Sequence, residues 1–368
     1  MPSIQELKDI RIKKLELLKS KGINPYKTES FREISIDSVI SDFSNLENSK
    51  KEMWISGRVM SIRGQGAIIF LTLNDGTGSF QVLFKKDEIE EEKLTLFTDT
   101  VDIGDFIEVQ GFFFTTNRGE KTIQAKDWCI LTKALLPLPE KWHGLTDTEE
   151  RYRKRYLEIL TDLDVRDRFV LRSKIIKEIR KFFDDLGFLE IETPILKNNA
   201  GGAMAEPFVT HHNNLDIDMK LRISLEIEHK MLMVSGIPAL YEIGKNFRNE
   251  GSDPTHIQEF TMMEWYSAYH TLEENISWTE KLLKHLALNI VGKDRFKVFD
   301  KDENEIEVDF AGIWPRITFT ELLKEYANID MQNISDTDLK KESVKYGMES
   351  ELSNKASRAN LLDFVYKH

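Results

Sequence analysis

The stretch "NFRNEGSDPTHIQEFTMMEWY", residues 246–266, decides the architecture of the second half of the chain. Two runs that alternate like β-strands flank a polar loop holding Gly251, Ser252, Asp253 and Pro254, which predicts an antiparallel hairpin. Side chains on a strand repeat every second residue, so Arg248 and Glu250 share one face, and Phe260, Met262, Glu264 and Tyr266 share one face of the return strand. Glu259, Thr261, Met263 and Trp265 face the other way. A buried face would be apolar throughout, yet this one mixes a guanidinium, carboxylates and rings. Two readings fit. One is a solvated face held by cross-strand ion pairs, each contributing roughly 0.2–1 kcal/mol. The other is a face built for a ligand that combines a phosphate, a flat base and an ammonium, with Arg248 for the anion, Phe260 for stacking and Glu264 with Tyr266 for the cation.

Working outward, residues 166–186 place Phe169, Val170, Ile175, Ile176, Ile179 and Phe183 at helical spacing, and Gly187 sits where a left-handed cap belongs. The strand "FLEIETPIL" follows, stopped by Pro194. Strands are expected at 206–212 and 219–224, and helices at 225–235 and 271–291. The class is α+β, antiparallel strands with helices on one side. Upstream, "KALLPLPEKWHGLTDTEE" breaks periodicity with Pro137, Pro139 and Gly144, so 136–150 reads as a linker and 151–368 as a second domain.

Residues 51–135 form the other domain. Five strand-like runs, from "MWISGRVMSIR" to "KTIQAKDWCIL", are separated by the turn signals "RGQG", "NDGTG" and "TNRGE". A charged helical segment, "KKDEIEEEKLTLF", lies between the third and fourth runs, the layout of an OB-fold barrel, which commonly binds oligonucleotides. Residues 1–50 are a helical extension in which Ser3 and Glu6 make a capping box.

The chain has 368 residues and a formal net charge of −12, which argues against indiscriminate coating of nucleic acid or membrane. The single cysteine, Cys129, allows neither an intrachain disulfide nor a cysteine zinc site. No run is apolar enough to span a bilayer, and the expected compartment is the cytoplasm. No GxxxxGK[ST] loop occurs, and "GQGAII" at 64–69 reads as a hairpin turn. "DKDENE" at 300–305 has Glu305 where a calcium loop needs glycine, so it reads as a charged turn. His211, His212, Asp216 and Asp218 are conceivable metal ligands, but adjacent strand histidines point to opposite faces.

Taken in order, the barrel, "GFLEIETPIL", "PFVTHHNNLDIDMKLRIS" and "NFRNEGSDPTHIQEFTMMEWY" resemble the class II lysyl-tRNA synthetases, nearly continuously from the first helix to about residue 300. The helix, strand and Pro194 resemble motif 1, the dimer-forming element, and Phe247 to Tyr266 resemble motif 2. The resemblance implies an OB-fold anticodon-binding barrel, an antiparallel-sheet catalytic domain, and a homodimeric lysine–tRNA ligase using ATP, magnesium, lysine and tRNA(Lys). It assigns Arg248 to the lysine carboxylate and the α-phosphate, Glu250 to the adenine amino group, His256 to the terminal phosphates and Phe260 to stacking on adenine. Glu226 and Gly202 match contacts to the α-amino end of lysine, and Glu264 with Tyr266 the receptor of its ε-ammonium. Phe70 and Gln81 match residues that stack on and hydrogen-bond the central anticodon base, assisted by Arg58. The first helix, with Lys8, Arg11, Lys13, Lys14, Lys19 and Lys21, is the expected contact to the tRNA backbone.

The resemblance has departures. Leu225 stands where a proline is common, and residues 300–368 show neither the family's magnesium acids nor its glycine-rich motif 3. The expectation is therefore a catalytic domain incomplete at His368, with the magnesium ligands beyond it. Two alternatives stay open: a shortened paralogue that binds tRNA or a partner without catalysis, and an aspartyl- or asparaginyl-tRNA synthetase, whose pocket should present a basic residue.

Overall fold

The computed structural model describes residues 3–64, 67–139, 146–251, 253, 256–300 and 304–368. Two compact units divide it, Met1–Asp167 and Arg168–His368.

In the first unit, helix α1 (Ile4–Ser20) starts at Ser3, whose hydroxyl accepts from the Glu6 amide while the Glu6 side chain caps Ser3, as the sequence predicts. Short helices α2 (Ile36–Ser41) and α3 (Phe43–Ser49) lead into the strands β1 (Met53–Arg63), β2 (Ile68–Asn74) and β3 (Ser79–Lys85). Helix α4 (Glu91–Thr100) then precedes β4 (Phe106–Thr115) and β5 (Lys121–Thr132). The strands close a barrel in the order β1-β2-β3-β5-β4, with β3 and β5 parallel. Alternating residues fill it: Ile55, Val59, Leu71, Leu73, Val82, Phe84, Ile107, Val109, Phe113 and Ile123 are all buried, and α4 adds Leu94 and Phe97.

Helix α1 is held to the barrel by polar groups as well. The buried Arg11 donates to the carbonyls of Ile103, Ala134 and Leu136, and Lys14 pairs with Asp102 at 2.7 Å. Lys133, fully buried, bridges Asp102 and Asp105. Arg11 and Lys14 are thus committed inside the unit, which leaves Lys8, Lys13, Lys19 and Lys21 as the helix's outward cations. Helices α5 (Thr148–Arg153) and α6 (Arg155–Thr161) belong to this unit, and Arg166 donates to the Gly76 carbonyl at 2.5 Å. The first compact unit thus runs past the proline-bearing linker to Asp167; residues 140–145 of that linker, and Gln65 and Gly66 of the "GQG" turn, lie outside the described residues.

In the second unit, the long helix α7 (Leu163–Asp185), which begins a few residues before the boundary, ends at Gly187, where φ is +80°. The expected strand after it is cut in two, β6 (Leu189–Glu190) and β7 (Leu196–Lys197), because Thr193 is drawn into a buried polar cluster and Pro194 has no amide to donate. Next come β8 (Val209–His212), β9 (Ile217–Leu221), α8 (Glu226–Val234), and the hairpin β10 (Ala239–Phe247) and β11 (Glu259–Ser267). The order β11-β10-β6 makes a mixed sheet, since β6 runs parallel to β10; the expectation of purely antiparallel strands is corrected to that extent. A separate sheet has the order β7-β9-β8.

Helix α9 (Leu272–Leu286), capped by Thr271 and Glu274, packs with α7 behind the hairpin. Phe183 and Phe188 meet Tyr241, Met263, Trp265 and Leu282 there, so the odd-numbered face of the hairpin is its core face. A two-stranded hairpin, β12 (Arg295–Phe299) and β13 (Glu305–Asp309), follows. Residues 301–303 of the "DKDENE" turn lie outside the described residues. The helices α10 (Phe319–Tyr326), α11 (Asp336–Lys345), α12 (Ser350–Lys355) and α13 (Arg358–Lys367) close the unit around a core of Leu323, Ile329, Leu339, Leu361, Leu362 and Val365.

Candidate active site and nucleic-acid face

The even-numbered face of the hairpin carries the candidate site residues Phe260, Glu264 and Tyr266. Register pairs Asn246 with Phe260, Gly244 with Met262, Glu242 with Glu264 and Leu240 with Tyr266, and the Arg248 amide extends the ladder to the Gln258 carbonyl. Beneath this face lies a buried cluster. Arg222, at the end of β9, donates from Nη1 to Glu242 Oε1 at 2.7 Å and to Thr193, and from Nε to the Lys245 carbonyl. Glu242 Oε2 accepts from the Thr193 hydroxyl and from His229 Nε2 at 3.1 Å. Burial alone would push the Glu242 carboxyl up; the hydrogen bonds from His229, Thr193 and Arg222, with the guanidinium charge, outweigh it and hold the group down at about 2. Position 244 must be glycine for this packing, since a Cβ there would clash with the Arg222 guanidinium.

Three groups of candidate site residues lie along β11, just past the end of β10 and at the start of α8. Glu264 accepts from the Tyr266 hydroxyl at 3.0 Å and from the Leu225 amide at 3.3 Å. Burial, then the neighbouring Glu264 charge, pushes the Tyr266 phenol well above its ordinary range, so it stays a donor. The Arg248 guanidinium stands 5.2 Å from the Phe260 ring centroid, and its Nε lies 3.5 Å from the Ile223 carbonyl. Glu226, at the start of α8, faces Gly202 across a tight turn; Gly202 has φ +87°, and a Cβ there would run into Ser224 and Glu226. Lys230, one turn on, reaches back to Glu226 at 2.5 Å.

Residues 147–367 match the family model described as tRNA synthetases class II (D, K and N), and residues 53–131 match the OB-fold nucleic acid binding domain described for tRNA anticodons. The chain belongs to the class II tRNA synthetases of the D, K and N group. Relatives of this synthetase include lysine–tRNA ligases from Lactococcus lactis subsp. cremoris, 44% identical over 340 residues, and Syntrophomonas wolfei, 41% identical over 366 residues. Those alignments cover 90% and 99% of this chain and 67% and 72% of the relatives. A third, from Clostridium tetani, is 40% identical over 354 residues, covering 95% of this chain and 69% of its own.

Within the synthetase, the hairpin brings together Arg248 and Phe260, and separately Glu264 and Tyr266, with Gly202 and Glu226 adjacent through Ser224. Glu250 and His256 lie in the exposed connection, where His256 Nδ1 meets Asp253 at 2.8 Å; Ser252, Pro254 and Thr255 of that loop lie outside the described residues. His211 bonds Asp218 and Asp216 on the surface, as strand and turn residues do. Among the described residues no group of three or more His, Cys, Asp or Glu could hold a metal ion.

In the barrel, Phe70 and Gln81 line one cavity of about 760 Å³ together with Arg63, Leu83, Phe114, Asn117, Arg118 and Glu120. Arg58 is elsewhere: its guanidinium stacks 4.3 Å from the Phe106 ring centroid and donates to the Gly104 carbonyl. Arg63 and Arg118 are cations of this cavity that the sequence does not single out. The register partner of Arg63 is Phe70, a pairing that counting back across the "RGQG" turn could have exposed. Also missed were Arg222, Glu242, His229 and Asn246, the last fully buried, with neither amide atom partnered among the described residues.

Proposed function

We propose that this chain activates lysine with ATP to lysyl-adenylate and pyrophosphate and passes the lysyl group to a terminal ribose hydroxyl of tRNA(Lys). The observation that carries the reading is the Glu264–Tyr266 pair. A half-buried carboxylate bonded to a phenol that stays protonated receives an ammonium well, and would reject aspartate or asparagine. Spacing supports it. Arg248 is anchored at Ile223 and Glu264 at Leu225, two residues apart, at most ~7 Å along the backbone. That is the scale of lysine from carboxylate to ε-ammonium.

In this reading Arg248 clamps the lysine carboxylate against the α-phosphate, Phe260 stacks adenine, and Glu250 and His256 engage the adenine amino group and terminal phosphates from the loop. Glu226 and Gly202 hold the α-amino end. The carboxylate oxygen attacks phosphorus in line and pyrophosphate departs, so the chain supplies orientation rather than a nucleophile, an effect that can contribute ~7–11 kcal/mol. The family's use of a divalent metal belongs to the same proposal. Phe70 and Gln81, with Arg63, would read the anticodon in the cytoplasm. The partly exposed Phe169, Val170 and Leu171 on α7 support a homodimer through the motif 1 helix.

The test is amino-acid-dependent ATP–pyrophosphate exchange. Exchange driven by lysine and lost in Glu264→Gln is expected; exchange driven by aspartate or asparagine instead would sink the assignment.

A further inference from the structure

One residue of the buried cluster reaches the ammonium pair directly. His229 lies on α8 three residues after Glu226, fully buried. Its Nε2 is 3.1 Å from Glu242 Oε2, and because that carboxylate is ionised and only accepts, Nε2 must carry the proton. Its ring stands perpendicular to the Tyr266 ring, with centroids 5.3 Å apart. Nδ1 is sealed from solvent and has no partner among the described residues. The imidazole therefore has a rigid anchor on one side, the Arg222–Glu242–Thr193 cluster, and a pocket wall on the other.

We propose that His229 is a positioning residue for substrate selection, holding the Tyr266 ring edge-on so that its hydroxyl stays on Glu264 and the pair is preset for a primary ammonium. The assignment rests on the reading of Glu264 and Tyr266 as the ammonium receptor. Its reasoning is geometric. A tyrosine has two χ angles, and a preset donor must have both fixed by packing. On one side of Tyr266 that packing is the His229 ring, itself fixed by a charge-assisted hydrogen bond. Among the described residues neither Arg248 nor Phe260 makes a hydrogen bond or ring contact with His229, whose partners are Glu242 and Tyr266, so the nucleotide end should not sense its loss.

The experiment is calorimetric titration of the chain with lysine and, separately, with ATP, for the wild type, Glu264→Gln, His229→Leu, His229→Phe and His229→Gln. Circular dichroism and thermal unfolding accompany each. His229→Leu is expected to weaken lysine about tenfold or more while ATP affinity stays within about twofold. His229→Phe keeps a ring against Tyr266, and His229→Gln keeps a donor to Glu242; each should recover part of the lysine affinity. These two variants also serve if His229→Leu does not fold. A general loss of structure would weaken both ligands together. Unchanged lysine affinity in folded His229 variants, with Glu264→Gln defective, overturns the role of His229 and leaves the pocket reading standing. A wild-type chain that binds ATP but not lysine overturns both.

Discussion

At the scale of single residues, Glu242 makes the strongest statement. Its carboxyl is held at about 2, against 4.5 for the free group, so the fold binds its charged form more tightly than the unfolded chain does. The stability it contributes is full above pH about 4.5 and is lost as pH falls toward about 2, a contribution on the order of 3 kcal/mol. Glu242→Gln should flatten acid unfolding of the second unit between those limits, which fluorescence of Trp265 and Trp278 would follow; an unaltered acid limb would contradict the account. Glu264 and Tyr266 were legible in the sequence because a two-residue period puts them on one face. Arg222, Glu242 and His229 were not. Their partners come from three separate segments, and burial pairing of that kind leaves no local pattern to read.

At the scale of elements, the barrel strands, α4, α7, α8 and the hairpin all follow from periodicity and turn residues. The exception is "FLEIETPIL", which alternates well enough for one strand but gives two residues at each end. The Thr193 hydroxyl and carbonyl serve Arg222, and that tertiary demand overrides strand propensity. Helix α1 shows the same principle. Its basic residues read as a tRNA-facing row, yet Arg11 satisfies three carbonyls inside its own unit. Arg11→Ala should lower barrel stability by about 3 kcal/mol, since buried acceptors lose a charged donor. Urea unfolding monitored at Trp54 and Trp128 would measure it, and a change under about 0.5 kcal/mol would mean that α1 is not fixed by this residue. Phe183, wedged between Phe188, Tyr241 and Trp265, should cost about 3–5 kcal/mol when changed to alanine, read in the second unit's transition.

For the whole molecule, a net charge of −12 means that any polyanion must be met locally. In the proposed reading the barrel cavity would do this with Arg63 and Arg118, which line it together with Phe70. Phe70→Ala should weaken tRNA binding by about 1–3 kcal/mol, roughly 5- to 150-fold, with a steep salt dependence retained. Filter binding at two ionic strengths would check it, and lysine-dependent pyrophosphate exchange should be unaffected. Proline and glycine mark where periodicity stops, whereas the edge of the first compact unit, at Asp167, follows contacts such as Arg166 to Gly76, which no local pattern announces. The four-helix lobe at 319–367 left no distinctive motif, although its Ser and Thr caps are plain in hindsight.

Lys230 bonded to Glu226 has a meaning for binding that its modest role in helix α8 hides. A lysine ammonium of the chain itself occupies the carboxylate proposed for the incoming amino acid, so the pocket holds a tethered competitor chemically akin to its own substrate. An exposed pair of this kind contributes ~0–1 kcal/mol, which bounds the competition at about fivefold. Lys230→Ala should therefore tighten lysine binding by up to about that factor at low salt, and the gain should shrink as salt screens the internal pair.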